Sequence, residues 1–219
     1  NIFALAILAG GFFYLDSYRM RLIDARLVSI GRETALIGTA MESALPKDRN
    51  QLLVRSAEAT GLRLRIYDAS GTKRADSFSL GRPTYELRDP ARDPIHIKIA
   101  RALDRVVETI AFATRPPYYR EPREDRRDAW TEAQEAASNG APTAAYRFAP
   151  DRTPFLSLAR PLPDRREMLL ATINARDITD IVRAERLRIS LVLAAAIITS
   201  VLLSLFLART IVLPLRRLA

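Results

Sequence analysis

The sequence predicts an α+β domain, an antiparallel sheet with a long N-terminal helix, held between two transmembrane helices. Three observations predict it. A charge-free apolar run stands near each end of the 219-residue chain. Every acidic residue falls between those runs, from Asp16 to Glu185. Within the intervening loop, helical spacing gives way to period-two alternation and the chain closes on strand-like apolar runs.

The ends come first because they decide the environment. Ile2 to Leu15 carries no charge but is shorter than the roughly 20 residues a bilayer crossing needs. The chain opens on Asn1 with no initiator Met, so residues 1–15 are expected as the truncated end of a first transmembrane helix. No small-x-small cleavage pattern follows Leu15, which sets aside a signal-peptide core. Ile189 to Ala208 is twenty residues without a charge, Gly or Pro, the length of one crossing. A buried core helix is the alternative reading of that run. Residues 16–188 are then a loop long enough to form a domain, and 209–219 follow the second span. Arg209, Arg216 and Arg217 suit a cytoplasmic flank, but Arg183, Arg186 and Arg188 precede the span. For so long a loop the charge rule is nearly neutral.

Composition excludes several classes. The formal net charge is +9, yet the arginines are mixed with carboxylates along the loop and no aromatic-interleaved basic stripe appears, so no nucleic-acid partner is expected. There is no cysteine, hence no thiol nucleophile and no disulfide. A single histidine, His96, leaves no His-pair metal site. No glycine-rich phosphate loop occurs. No catalytic residue, metal or cofactor is expected in this chain.

The loop opens on a long helix. Met20, Ile23, Leu27, Ile30, Ile37 and Met41 recur at alternating steps of three and four, with Thr34 breaking the stripe, up to Pro46. The stripe fits a dimer seam, an ordinary amphipathic helix packed on its own domain, or a helix that does both. A short helix from Asn50 to Thr60 ends at Gly61. Leu62, Leu64 and Ile66 alternate with Arg63 and Arg65 as a half-buried strand. Asp68-Ala69-Ser70-Gly71 is a turn by chemistry, and Lys73 to Phe78 returns as a second strand. Residues 82–142 are expected as an insertion, partly mobile. It holds a helix from Pro94 to Ile110, a Pro- and Tyr-rich break, the charged stretch Glu121 to Asp128, and a short helix near Trp130 that ends at Gly140. Ala145 to Phe148, Phe155 to Leu162 and Met168 to Ile173 read as strands. Asp177 is placed to cap a helix beginning at Ile178. No Gly or Pro interrupts Ile178 to Leu213, so the last strand feeds one rod into the membrane.

Two segments carry a resemblance. Ile66-Tyr67-Asp68-Ala69-Ser70-Gly71-Thr72-Lys73-Arg74-Ala75-Asp76-Ser77 resembles the hairpin of the extracytoplasmic PAS-like (PDC, Cache-type) sensor domains of two-span receptors. Ile211 to Ala219, with Pro214 followed by Leu215 and Leu218, resembles the opening of a HAMP linker. The layout as a whole, with the Pro/Tyr-rich segment and Phe155 to Leu162, is similar to the ChvG/ExoS-type sensor histidine kinases. That resemblance implies an inner-membrane homodimer with its 16–188 loop in the periplasm. It implies a role as the input module of a two-component system, responding to acid pH or to a periplasmic inhibitory protein. It places a cytoplasmic response regulator, ATP and Mg²⁺ with a kinase part beyond Ala219. A chemoreceptor, a cyclase and a non-signalling membrane scaffold are the alternatives. Pro214, Leu215 and Leu218 are then the relay candidates. The sensing candidates are His96, Asp68 and Asp76. His96 has the ordinary pKa closest to mild acid, about 6.5. A helix-turn His that titrates without consequence is its plainer reading. Asp68 and Asp76 read more simply as residues of the turn and of the hairpin's end.

Overall fold

The structure is a computed structural model and describes residues 2–87, 116–207 and 209–210. The first helix, α1 (Ile2–Ser43), runs without a break from the apolar start into the domain. It is followed by α2 (Arg49–Thr60), β1 (Arg63–Tyr67), β2 (Lys73–Asp76) and the single turn α3 (Ser77–Leu80). Beyond residue 116 come α4 (Thr131–Asn139), β3 (Thr143–Phe148), β4 (Pro154–Leu162), β5 (Glu167–Asn174) and α5 (Arg176–Leu207). The strands make one antiparallel sheet in the order β2-β1-β5-β4-β3. This is the α+β, PAS-like architecture expected. The helix expected between Pro94 and Ile110 lies outside the described residues.

The alternation in β1 sorts the sheet into two faces. Leu64 and Ile66 point to one side, where they meet Leu156, Leu158 and Leu162 of β4 and Leu169 and Ala171 of β5. Ile23, Ile30, Ile37 and Met41 of α1, Leu53 of α2, and Ile178 and Val182 of α5 close that core. Helix α1 lies close to the sheet because Gly38 faces it: a Cβ there would stand 3.2 Å from Leu162. Thr34, the break in the apolar stripe, is fully buried and bonds back to the Ile30 carbonyl at 2.8 Å. Beside it the Arg160 guanidinium donates to the Gly31 carbonyl at 3.0 Å. Arg165, at the β4–β5 turn, donates to the Glu42 and Ala44 carbonyls and so satisfies orphan groups at the end of α1.

Most of the stripe offered as a dimer seam is therefore packed within the domain. Ile23, Ile30, Ile37 and Met41 are buried against the sheet, Leu27 is half-buried, and Met20 is exposed. Helix-on-sheet packing uses the same three-four spacing as a coiled coil, so the pattern alone does not separate the two.

Other boundaries moved for local reasons. Strand β2 stops at Asp76 because its carboxylate accepts the Phe78 N–H at 3.1 Å and caps α3. Helix α5 begins at Arg176, ahead of the expected Ile178. Ala175 donates its N–H to the Pro154 carbonyl at 2.8 Å, and Arg176 bonds Asp151 at 2.8 Å. One residue thus separates β5 from the helix. The described part of the 82–142 insertion belongs to the core: Tyr119, Trp130, Ala133 and Ala136 are buried on the second face of the sheet. Gly61 and Gly140 end α2 and α4 in the left-handed conformation, as their positions predict.

Within α5, Leu191, Val192, Leu202 and Phe206 are exposed. This is the one helix among the described residues long and apolar enough to cross a membrane, over Arg176–Phe206.

Candidate functional site

The second face of the sheet is aromatic and charged. Arg63, Arg65 and Tyr67 of β1 point to it, as do Phe155 of β4 and Met168 and Leu170 of β5. Residues 117–130 cross it as a strap. At one edge of the sheet the strap joins β3: Phe148 donates to the Pro117 carbonyl at 2.9 Å, and Tyr119 donates to the Phe148 carbonyl at 2.7 Å. At the other edge it docks on the β1–β2 turn, where Arg127 donates to the Gly71 carbonyl at 3.0 Å and Thr72 bridges to Arg126. Between these anchors the Tyr119 ring stacks on Phe155 at 3.9 Å between centroids.

Beneath the strap lies a cluster of three cations and three carboxylates. Arg63 grips Asp76 with two bonds, at 3.1 and 2.7 Å, and reaches Glu121 at 3.0 Å. Lys73 bonds Asp125 at 2.8 Å and Asp76 at 3.2 Å. Asp125 also accepts from the Tyr67 hydroxyl at 2.5 Å and the Trp130 indole at 3.4 Å. Arg65 stands at the centre, fully buried, 4.8 Å from the Trp130 ring centroid. Carboxylate oxygens of Asp125, Asp76 and Glu121 approach it to 3.4, 3.8 and 3.9 Å. Even so, none of its guanidinium nitrogens makes a hydrogen bond.

The charges set the protonation states. Burial alone would raise the Asp76 pKa, but the Arg63 hydrogen bonds and charge outweigh it and hold the carboxyl at about 2. Asp125 is also held below its ordinary value: burial opposes this, and the charge of Arg65 with the bond from Lys73 overcomes it. Burial and the bond to Asp125 push the Tyr67 hydroxyl up. Asp68 sits apart in the turn. It accepts from Ser70 N–H and hydroxyl at 2.9 and 2.6 Å, from Thr72 N–H at 3.0 Å and from Arg74 at 2.7 Å. Those bonds, the Ser70 hydroxyl foremost, lower its pKa to about 2. A second polar group, buried Glu132 and Ser157 with half-buried Arg147, ties α4 to β3 and β4.

Comparison with known proteins now bears on this site. Residues 1–49 match the family described as the sensor N-terminal transmembrane domain, and 45–151 the stimulus-sensing domain. The sensor protein ChvG of Rhizobium meliloti (strain 1021) is 28% identical over 100% of this chain. The chain is a homologue of the ChvG sensor proteins. The ChvG of Agrobacterium fabrum is 26% identical, also over the whole chain. This homologue spans 45% and 44% of the length of those two relatives. It is a membrane protein carrying a transmembrane sensing module. A methyl-accepting chemotaxis protein from Vibrio parahaemolyticus gives a structural match with TM-score 0.38 and 17% identity, over 75% of this chain and 99% of that one. The stimulus-sensing match contains all six charged residues of the cluster.

Of the sensing candidates, Asp76 lies in the cluster, Asp68 holds the turn on which the strap docks, and His96 lies outside the described residues. So do Pro214, Leu215 and Leu218. The sequence reads Glu121 and Asp125 only as part of a charged stretch interleaved with arginines, ion-paired or solvated, and does not single out Arg63, Arg65, Lys73 or Trp130 as site residues. Arg63 and Arg65 read as the wet side of an alternating strand. Their signal was the charged stretch downstream, whose Glu121 and Asp125 are spaced to meet them once the strap covers the sheet.

Proposed function

We propose that this chain is the input half of a two-component sensor histidine kinase, set in the inner membrane as a homodimer with residues 16–188 in the periplasm. In this reading it detects acid conditions or a periplasmic inhibitory protein. It passes the signal by helix rearrangement to a cytoplasmic kinase, which uses ATP and Mg²⁺ and phosphorylates a response regulator. The observation that carries the reading is the junction of β5 and α5. A strand central to the sheet becomes the membrane helix across one residue, Ala175, so a shift in the sheet has no slack before the bilayer. Helix α1 packs on the same core and runs toward the same membrane, which gives each copy two rods moved by one sheet.

The electrostatics favour a partner protein or His96 over the paired carboxylates as the acid-sensitive element. Asp68, Asp76, Asp125 and Glu132 are all held below their ordinary values, so they stay ionised through mild acid. The test is autophosphorylation of the full-length parent in membranes, at neutral and mildly acid pH, with and without Ala175→Pro. Proline removes the N–H that Ala175 gives Pro154 and loosens the junction. The variant is expected to keep basal autophosphorylation and lose its response. A response of unchanged size would refute the relay.

A further inference from the structure

We propose that the cluster around Arg65 is a binding site for a small oxyanion of the carboxylate type, which replaces Glu121 on Arg65 and Arg63. The proposal rests on the sensing reading for its purpose but not for its evidence, which is the hydrogen-bond accounting of the cluster.

Arginine is almost never fully buried without partners, because each unmet buried N–H carries a desolvation cost. Around Arg65 the acceptors are already committed. Both Asp76 oxygens serve Arg63, and one also serves Lys73. Asp125 serves Lys73, Tyr67 and Trp130. Arg65 is left with attraction at 3.4 to 3.9 Å and no hydrogen bond. A guanidinium in that position is best completed by a planar oxyanion that presents two acceptors at once.

Glu121 is the replaceable member. Its side chain is 55% exposed, while that of Asp76 is 3% exposed. It makes one hydrogen bond to Arg63, at 3.0 Å, and stands 3.9 Å from Arg65. Turning it out to solvent uncovers two arginines and leaves the bonds among Arg63, Asp76, Lys73 and Asp125 intact. An anion entering there meets Arg63 and Arg65 together, with Trp130 and Tyr119 beside it. Because Glu121 belongs to the strap, exchanging it for a free anion alters how the strap is held. Divalent cations are the poorer occupant: no group of three or more acidic or histidine ligands with metal-binding geometry occurs among the described residues.

Trp130 is the only tryptophan in the chain and stacks on Arg65, so its fluorescence reports the site directly. The full chain in detergent is titrated with succinate, acetate, inorganic phosphate and sulfate at matched ionic strength, with chloride as control. The expected result is a saturable change with at least one oxyanion and none with chloride. Strength with succinate and acetate identifies a carboxylate ligand; strength confined to phosphate or sulfate overturns the carboxylate class. Glu121→Gln removes the competing charge and is expected to tighten binding by about tenfold. Arg65→Met, its folding checked by circular dichroism, is expected to abolish the response. A flat titration in both the parent chain and Glu121→Gln would overturn the proposal even if Arg65→Met fails to fold. An unchanged response in folded Arg65→Met would overturn it as well. Since the readout is binding, failure here leaves the helix-relay reading to its own phosphorylation test.

Discussion

The two faces of the sheet are built on opposite principles. Under α1 the contacts are aliphatic and closed, with Ile30, Leu53, Leu64, Leu156 and Leu169 completely buried. Under the strap the contacts are charged and aromatic, and one of the most deeply buried side chains is an arginine. Burial of aliphatic surface is non-directional and tolerant of small shifts. Ion pairs and hydrogen bonds are directional, and in a low dielectric they are costly to leave incomplete. In the proposed reading the first face holds the rods and the second responds. The second contains an exposed carboxylate, Glu121, whose place on its arginines can be exchanged without opening the apolar core.

The largest effect that would sharpen this contrast is expected from Asp76→Ala. It leaves Arg63, Arg65 and Lys73 short of their most buried counter-charge and is expected to cost about 3–5 kcal/mol, read from thermal unfolding of the full chain in detergent. A loss below about 1 kcal/mol would mean the cluster is solvated and the second face is ordinary surface. Ile30→Ala should cost about 3 kcal/mol in the same assay, through the cavity it leaves between α1 and the sheet.

These two residues also show what was legible in sequence. Ile30 lay in a stripe whose period marked it as packed, and packing on the sheet followed; the stripe's spacing did not say which surface it would meet. The strands, the glycine stops of α2 and α4, and the membrane-length run of α5 were likewise local signals. Arg65 was not legible. Its burial depends on a strap some fifty residues downstream lying across the sheet, with Asp125 spaced along it to reach Lys73 and Tyr67. Nothing within β1 distinguishes a buried arginine from a wet one. Asp76 was readable as the end of the hairpin, and only the fold shows that it also anchors three cations.

Acid titration separates the faces by a smaller amount. The folded-state pKa of Asp76 lies near 2, below its unfolded value of 3.8. A depressed carboxylate contributes its stability above the unfolded pKa and loses it as pH falls through the folded one. Asp76 should therefore contribute about 2 kcal/mol down to about pH 4 and lose it toward pH 2. Unfolding followed against pH is expected to show no loss from this cluster between about pH 7 and pH 5. A steep loss near pH 6 would contradict the charge assignments. The smallest expected effect is Leu36→Ala, on the outward side of α1 and 75% exposed, which should stay within about 0.5 kcal/mol.

The central claim, that the sheet moves the membrane rod when the domain is stimulated, is tested most directly by disulfide mapping of α5. These 219 residues contain no cysteine, so single cysteines can be placed one at a time from Ile181 to Leu191, in a parent whose remaining cysteines, where present, are replaced. Crosslinking between two copies of the full-length parent is measured in membranes at neutral and at mildly acid pH. The account predicts a helical pattern of crosslinking whose phase shifts between the two conditions. An identical pattern in both, with the parent's kinase still responding, would contradict it.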